Sequence, residues 1–301
     1  MKELSIPLLQ KGDQVIIVAP AGIVQEKNIY RAKRILEEWG LKVKLGKHLF
    51  AMSQVFAGDD RQRLEDFQFA LNDPELKAIL CARGGYGSVR IVDQLDFSLF
   101  IQHPKWIVGF SDISVFHAHI LQHFDLPSLH AVMPNSYSDK RDSPSMKSLY
   151  TSLFQEHFQY QFPTHPLSKL GVTEGVLTGG NISILYNLLG TDSDVDWKDK
   201  LLFIEDVGEY YYHLDRMMQA FKRTGKLGSL KGLIVGQFSE MKEGNTAYGK
   251  SAEEIILEAV KEYQFPVCFD FSAGHIEENL ALRFGIRIQL SVNQKDTLIS
   301  F

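Results

Sequence analysis

Ser111 is the serine of this chain best placed to act as a nucleophile. The run Val108-Gly109-Phe110-Ser111-Asp112-Ile113 leaves an apolar strand-like segment, and Ser114 to Leu121 continues it in a helical pattern. A serine at a tight strand-to-helix turn presents its hydroxyl above the carboxyl end of a sheet. The N–H of the next residue, Asp112, points into the same space at the helix N-terminus. That is the geometry of a nucleophile elbow, with Asp112-Ile113 in place of the usual second glycine. The same pattern also fits plain helix capping by Ser111 or Asp112, since both types are favoured at N-caps. Arg83-Gly84-Gly85-Tyr86-Gly87 follows another apolar run and opens at the same sheet edge. It reads as a phosphate cradle lacking the Walker lysine, as a turn without a ligand, or as an oxyanion-hole donor at Gly85 partnering the Asp112 N–H.

A serine nucleophile needs a base, and the base needs an orienting acid. Ten histidines compete. His117, His119 and His123 follow Ser111 at helical spacing and are expected to line a helix surface. The His119/His123 pair has the spacing of a metal site but no HExxH glutamate. His213 lies on the polar side of a stripe formed by Leu214, Met217, Met218 and Phe221. His275 ends Phe271-Ser272-Ala273-Gly274-His275, a small-residue loop after a strand, where a side chain can face a cleft. For the acid, Leu201 to Asp206 is a strand ending in two carboxylates. Glu205 continues from its apolar part and is expected to be partly buried, which is costly unless a cation meets it. Alternation along the strand sends Glu205 and Asp206 to opposite faces, so only one can face a histidine. A metal cluster of Glu205, Asp206, Glu209 and Asp215 is disfavoured because helical spacing scatters those residues. No metal or cofactor is expected. The chain order Ser111, Glu205, His275 is compatible with a hydrolase without being diagnostic.

The elements that must hold these residues alternate between the two kinds. Apolar runs at Val15 to Ala19, Leu41 to Leu45, Ala78 to Ala82 and Trp106 to Phe110 read as strands. Stretches at Ile29 to Trp39, Arg61 to Leu71 and Ser88 to Leu95 read as helices. Nearly continuous apolar strands alternating with helices imply an α/β fold with a parallel sheet covered on both faces. The second half is more mixed, with strands near Leu201, Leu233 and Pro266 and helices over 209–224 and 252–263. With 301 residues two domains are expected: 1–158 with the serine, a linker at 159–171, and 172–301 with the acid and base. Composition is that of a folded soluble chain, 45% hydrophobic and 23% charged. A net charge of −5 leaves no basic surplus for nucleic acid. Cys81 and Cys268 form no CxxC motif, which fits a reducing, cytoplasmic setting, and no run is long enough to span a membrane.

Six short motifs in order then carry a resemblance. They are Val18-Ala19-Pro20-Ala21-Gly22, Ala82 to Gly87, Gly109 to Ile113, Gly179-Gly180-Asn181, Ile204 to Glu209 with Asp215-Arg216-Met217, and Gly274-His275. The chain resembles the LD-carboxypeptidase family of serine peptidases, which includes the microcin C immunity peptidases. The resemblance implies Ser111 as nucleophile and Glu205 and His275 as its acid and base. It also implies a flavodoxin-like N-terminal domain with a smaller mixed α/β C-terminal domain, and a homodimer. The activity implied is release of terminal D-alanine from a murein tetrapeptide. Two alternatives remain open: a detoxifying peptidase cleaving a peptide–nucleotide, with Trp197 or Tyr210 to Tyr212 holding the base, and a non-catalytic anion- or peptide-binding module. Tyr210-Tyr211-Tyr212 and Leu129-His130-Ala131-Val132-Met133 depart from the family pattern.

Overall fold

A computed structural model describes residues 6–140 and 142–301. The apolar runs of the first half become β1 (Gln14–Val18), β2 (Lys42–Leu45), β3 (Leu76–Cys81) and β4 (Trp106–Gly109), joined by β5 (Ser128–His130). They pair in parallel in the order β2-β1-β3-β4-β5. This is the flavodoxin-like order, in which the direction of growth reverses between β1 and β3. Ligands of such sheets bind at that switch point, outside the carboxyl ends of the strands.

Helices cover both faces, which is why the central strands are apolar throughout. The stripe Ile29, Ala32, Ile35 and Leu36 of α1 (Glu26–Glu38) packs on one face. On the other lie α2 (Asp60–Asn72), the short α3 (Ser98–Gln102) and α4 (Ser114–Phe124). The α5 helix (Pro144–Phe154) joins α1 through Leu149 and Leu153. The helix expected over Ser88 to Leu95 is instead two short 3-10 turns, Ser88–Arg90 and Val92–Gln94. Ile91, Val92 and Leu95 are buried in these turns.

The second sheet is mixed. Its strands β6 (Gln159–Pro163), β7 (Gly171–Asn181), β8 (Lys200–Val207), β9 (Gly232–Ser239) and β10 (Val267–Cys268) are joined by two later ones. Of these strands, β7 to β10 run parallel. The helices α6 (Ile182–Asn187), α7 (Tyr211–Arg223) and α8 (Ala252–Val260) pack on one face and share a core with α4 of the first sheet. Then β11 (Leu282–Phe284) leaves this half and pairs antiparallel with β5, before β12 (Arg287–Val292) and β13 (Asp296–Ser300) return to the second sheet.

Arg283 secures that excursion. It is buried, and its guanidinium donates to the Ser152 carbonyl at 2.9 and 2.8 Å and to the Glu156 carbonyl at 3.0 Å, closing the end of α5. Replacing it by methionine strands these carbonyls without a donor. Arg283→Met is therefore expected to cost on the order of 3 kcal/mol, read as a lower urea midpoint. An unchanged midpoint would remove Arg283 from this role.

Candidate active site

Ser111 follows β4 with φ of +64°, in the left-handed region that a residue with a Cβ avoids. Such a conformation costs on the order of 1–3 kcal/mol and persists where surrounding structure imposes it. Ser111 to Ile113 form a 3-10 turn that runs into α4, so the elbow reading of this segment describes the backbone. Packing beside it requires a glycine: a Cβ on Gly84 would stand 3.0 Å from Ser111 Cβ and 3.2 Å from its Oγ.

His275 reaches this serine from 164 residues away, with Nε2 3.0 Å from Ser111 Oγ. Its Nδ1 lies 2.7 Å from Glu205 Oε2. A carboxylate only accepts, so Nδ1 carries the proton and Nε2 presents its lone pair to the serine hydroxyl. Burial pulls the His275 pKa down, but the Glu205 hydrogen bond and charge outweigh it, and the net direction is up. Glu205 is completely buried, more than its sequence context led one to expect. The loop bearing His275 is tightly held. Gly274 N–H donates to Asn279 Oδ1 at 3.0 Å, Asn279 N–H to Ser145 Oγ at 2.9 Å, and Ser239 Oγ to the His275 carbonyl at 3.1 Å. A side chain at Gly274 would meet Glu205 Oε2 at 2.9 Å. The Phe110 ring lies 4.9 Å from the imidazole.

Asp206 faces the other way, as alternation requires. Its carboxylate accepts from Asn181 Nδ2 and Val207 N–H, each at 2.8 Å, and from the Ser183 hydroxyl at the start of α6. Burial pushes its carboxyl up to about 6. Thus Glu205 meets the histidine and Asp206 organises the neighbouring helix.

The glycine-rich loop after β3 lies beside the Ser111 turn, with Gly85 exposed and Gly84 buried. Two buried side chains hold this loop: Asp112, read in the sequence only for its N–H or as a cap, and Arg63, not singled out there. The Asp112 side chain accepts the Ser88 N–H at 2.8 Å. Burial pushes its carboxyl up, against the Ser88 and Gly87 amides and the charge of Arg63. Arg63 donates to the Pro20 carbonyl at 2.7 Å and the Gly87 carbonyl at 3.0 Å, and pairs closely with Asp60. One signal was available: Arg63 shares the buried face of α2 with Phe67, Ala70 and Leu71. A charge on an apolar stripe needs a buried partner.

Of the α4 histidines expected to line a helix surface, His123 is exposed, but His117 and His119 are not. His117 is buried with Nε2 2.8 Å from the Gly109 carbonyl, and His119 is buried with Nδ1 3.0 Å from Ser193 Oγ. Both fall on the face of α4 that packs into protein. His213 is half-exposed and bonds Glu209 at 2.8 Å. His130, buried among Phe110, Phe203 and Phe284, has its pKa driven well down by burial. Among the described residues no three His, Cys, Asp or Glu side chains are grouped to hold a metal. No helix among them is long and apolar enough to cross a membrane. Trp197 is buried against Phe221, whereas Tyr210 and Tyr212 are exposed where β8 gives way to α7.

Comparison with known proteins bears on this arrangement. Residues 15–131 match the model of the LD-carboxypeptidase N-terminal domain, and residues 174–290 match that of the LD-carboxypeptidase C-terminal domain. A probable murein peptide carboxypeptidase of Bacillus subtilis is 38% identical over 295 residues, covering 97% of this chain and 92% of the relative. The crystal structure of muramoyltetrapeptide carboxypeptidase from Oxalobacter formigenes superimposes with a TM-score of 0.87 at 25% identity, covering 95% of this chain and 98% of that one. Microcin C7 self immunity protein MccF, solved with aspartyl sulfamoyl adenosine, shares the fold with a TM-score of 0.88 at 19% identity and 99% coverage of both chains.

If the Asp112 carboxylate pins the glycine-rich loop, Asp112→Ala frees the Ser88 amide. A hydrogen bond to a charged group is worth about 1.5–3 kcal/mol, so that amide should exchange with solvent about 10- to 100-fold faster. Amides of α7 serve as the control. Equal acceleration at both places would make the effect global and remove the local role.

Proposed function

Because the chain belongs to the LD-carboxypeptidase family, we propose that this enzyme is a serine carboxypeptidase that hydrolyses the L–D amide of a murein tetrapeptide and releases terminal D-alanine. One observation carries the mechanism: the line from Ser111 Oγ through His275 to Glu205, with steps of 3.0 and 2.7 Å. The name of the Oxalobacter relative supports the tetrapeptide as substrate.

Neutral His275 takes the Ser111 proton at Nε2 as Oγ attacks the carbonyl carbon of the L–D amide. The imidazolium so formed faces Glu205, whose fixed charge stabilises it and holds the tautomer. The developing oxyanion takes the backbone N–H groups of Gly85 and Asp112, one from each loop at the sheet edge. His275 then hands its proton to the departing D-alanine amine. Water, deprotonated by the same imidazole, then attacks the acyl-enzyme; the acyl–Oγ bond breaks, His275 returns the proton to Ser111 Oγ, and the tripeptide leaves. The roles divide between residues 1–158, with the nucleophile, and 172–301, with acid and base; of the expected linker 159–171, Gln159–Pro163 forms β6 of the second sheet. In this reading the enzyme is a cytoplasmic homodimer. Two buried, unpaired cysteines suit a reducing compartment.

A second reading, cleavage of a peptide–nucleotide, draws on the exposed Tyr210 and Tyr212, whose rings stand 5.4 Å apart. Assaying the tetrapeptide beside an aspartyl-nucleotide amide separates the two by which is turned over faster.

Ser111→Ala should lower kcat by about 10⁴-fold or more while the protein keeps its thermal melt. Persistence of the wild-type rate of D-alanine release would place the nucleophile elsewhere. The His275 environment sets the pH profile. The base works when neutral and its pKa is raised, so kcat/KM should fall on the acidic side with a midpoint above the ordinary 6.5. Glu205→Gln removes the raising influence but keeps the burial, so the midpoint should move to lower pH and kcat should drop by about 10³–10⁴-fold. Asp206→Asn, off the line of proton transfer, should stay within about tenfold of wild type. The reverse ranking would exchange the two carboxylates' roles.

A further inference from the structure

An enzyme that removes one terminal residue must recognise the free end of the chain as well as the amide. We propose that Arg83 is the receptor for the substrate's C-terminal carboxylate, an inference that rests on the carboxypeptidase reading above.

Arg83 immediately precedes the glycine packed against Ser111. Its stem lies across Gly22, with Cδ and Nε each 3.6 Å from where a Cβ on that glycine would stand. Gly22 in turn donates its N–H to the Gly84 carbonyl at 3.0 Å. The contacts therefore run from Ser111 to Gly84, to Gly22, to the arginine. An extended peptide advances roughly 3.5 Å per residue. With the scissile carbonyl at Ser111, the terminal carboxylate stands a single residue further on. A long side chain rooted beside Gly84 spans that interval.

The guanidinium is anchored and yet unspent. Its Nη1 donates to the Ile23 carbonyl at 2.7 Å, which fixes the direction of the fork, and the residue is exposed. Among the described residues no carboxylate pairs with it. The other arginines around this loop are engaged: Arg63 and Arg90 both pair with Asp60. A planar fork held on backbone, on a residue next to the glycine that packs against the nucleophile, suits bidentate binding of a carboxylate. The competing cation is Lys242, whose Nζ lies 3.6 Å from where a Cβ on Gly208 would stand, past the end of β8. A flexible ammonium on that wall lacks both the fork and the link to the glycine loop.

The test compares a murein tetrapeptide ending in free D-alanine with the same peptide ending in D-alaninamide. Wild type should prefer the free acid by about 10- to 100-fold in kcat/KM, the range of a charge-assisted contact. Arg83→Gln should reduce that preference to near unity by lowering turnover of the acid while leaving turnover of the amide within about threefold. Arg83→Lys should retain part of it, and it carries the test should the glutamine variant fail to fold: its preference must then fall by roughly fivefold or more. Undiminished preference in the Arg83 variants, or its loss in Lys242→Gln, overturns the assignment. Equal cleavage of both peptides by wild type overturns Arg83 alone, whereas cleavage of neither overturns the carboxypeptidase reading and this inference with it.

Discussion

Glu205 carries its carboxyl group wholly out of water, with Oε2 on His275 Nδ1. Among the described residues Oε1 has no hydrogen-bond donor. Removing one partner of such a pair strands a buried charge, at a cost of about 3–5 kcal/mol. The imidazole is therefore held against Glu205 more firmly than hydrogen bonding on a surface would allow, and its other nitrogen is aimed at Ser111. The buried carboxylate fixes orientation and tautomer together.

Much of the surrounding architecture serves to keep that pair in place. The His275 loop is bound on one side by Ser145 of α5 and on the other by Ser239 of β9. Just beyond it, β11 enters the first sheet, locked by Arg283. The chain thus returns from the second sheet to the first within a few residues of the histidine. This is how an acid on β8 and a serine after β4 come to share one imidazole although they belong to different sheets.

The serine side is held by backbone constraint. Ser111 adopts a conformation that its own side chain disfavours, and the cost is met by the packing of β4, α4 and Gly84 around it. Asp112 and Arg63 grip the glycine-rich loop from two directions, through Ser88 and Gly87. Both charges are buried while Gly85 and Tyr86 of the loop are exposed, at the switch point where an open α/β sheet receives ligands.

What the sequence determined by itself was local and periodic. The apolar runs became parallel strands, the stripe of α1 went to the core, and the alternation of Glu205 and Asp206 survived into the fold, because each follows from the repeat of a strand or helix. The strand-to-turn-to-helix passage at Ser111 was legible for the same reason. Tertiary structure decided the rest. It brought His275 within reach of both Ser111 and Glu205, buried His117 and His119 where a helix surface was expected, and broke Ser88 to Leu95 into short turns. It sent β11 to the first sheet and put the Asp112 and Arg63 side chains to work on a loop distant in sequence. No periodicity records such pairings. They are set by which remote segments share a core and which buried polar groups must then find partners, conditions that exist only once the chain has closed on itself.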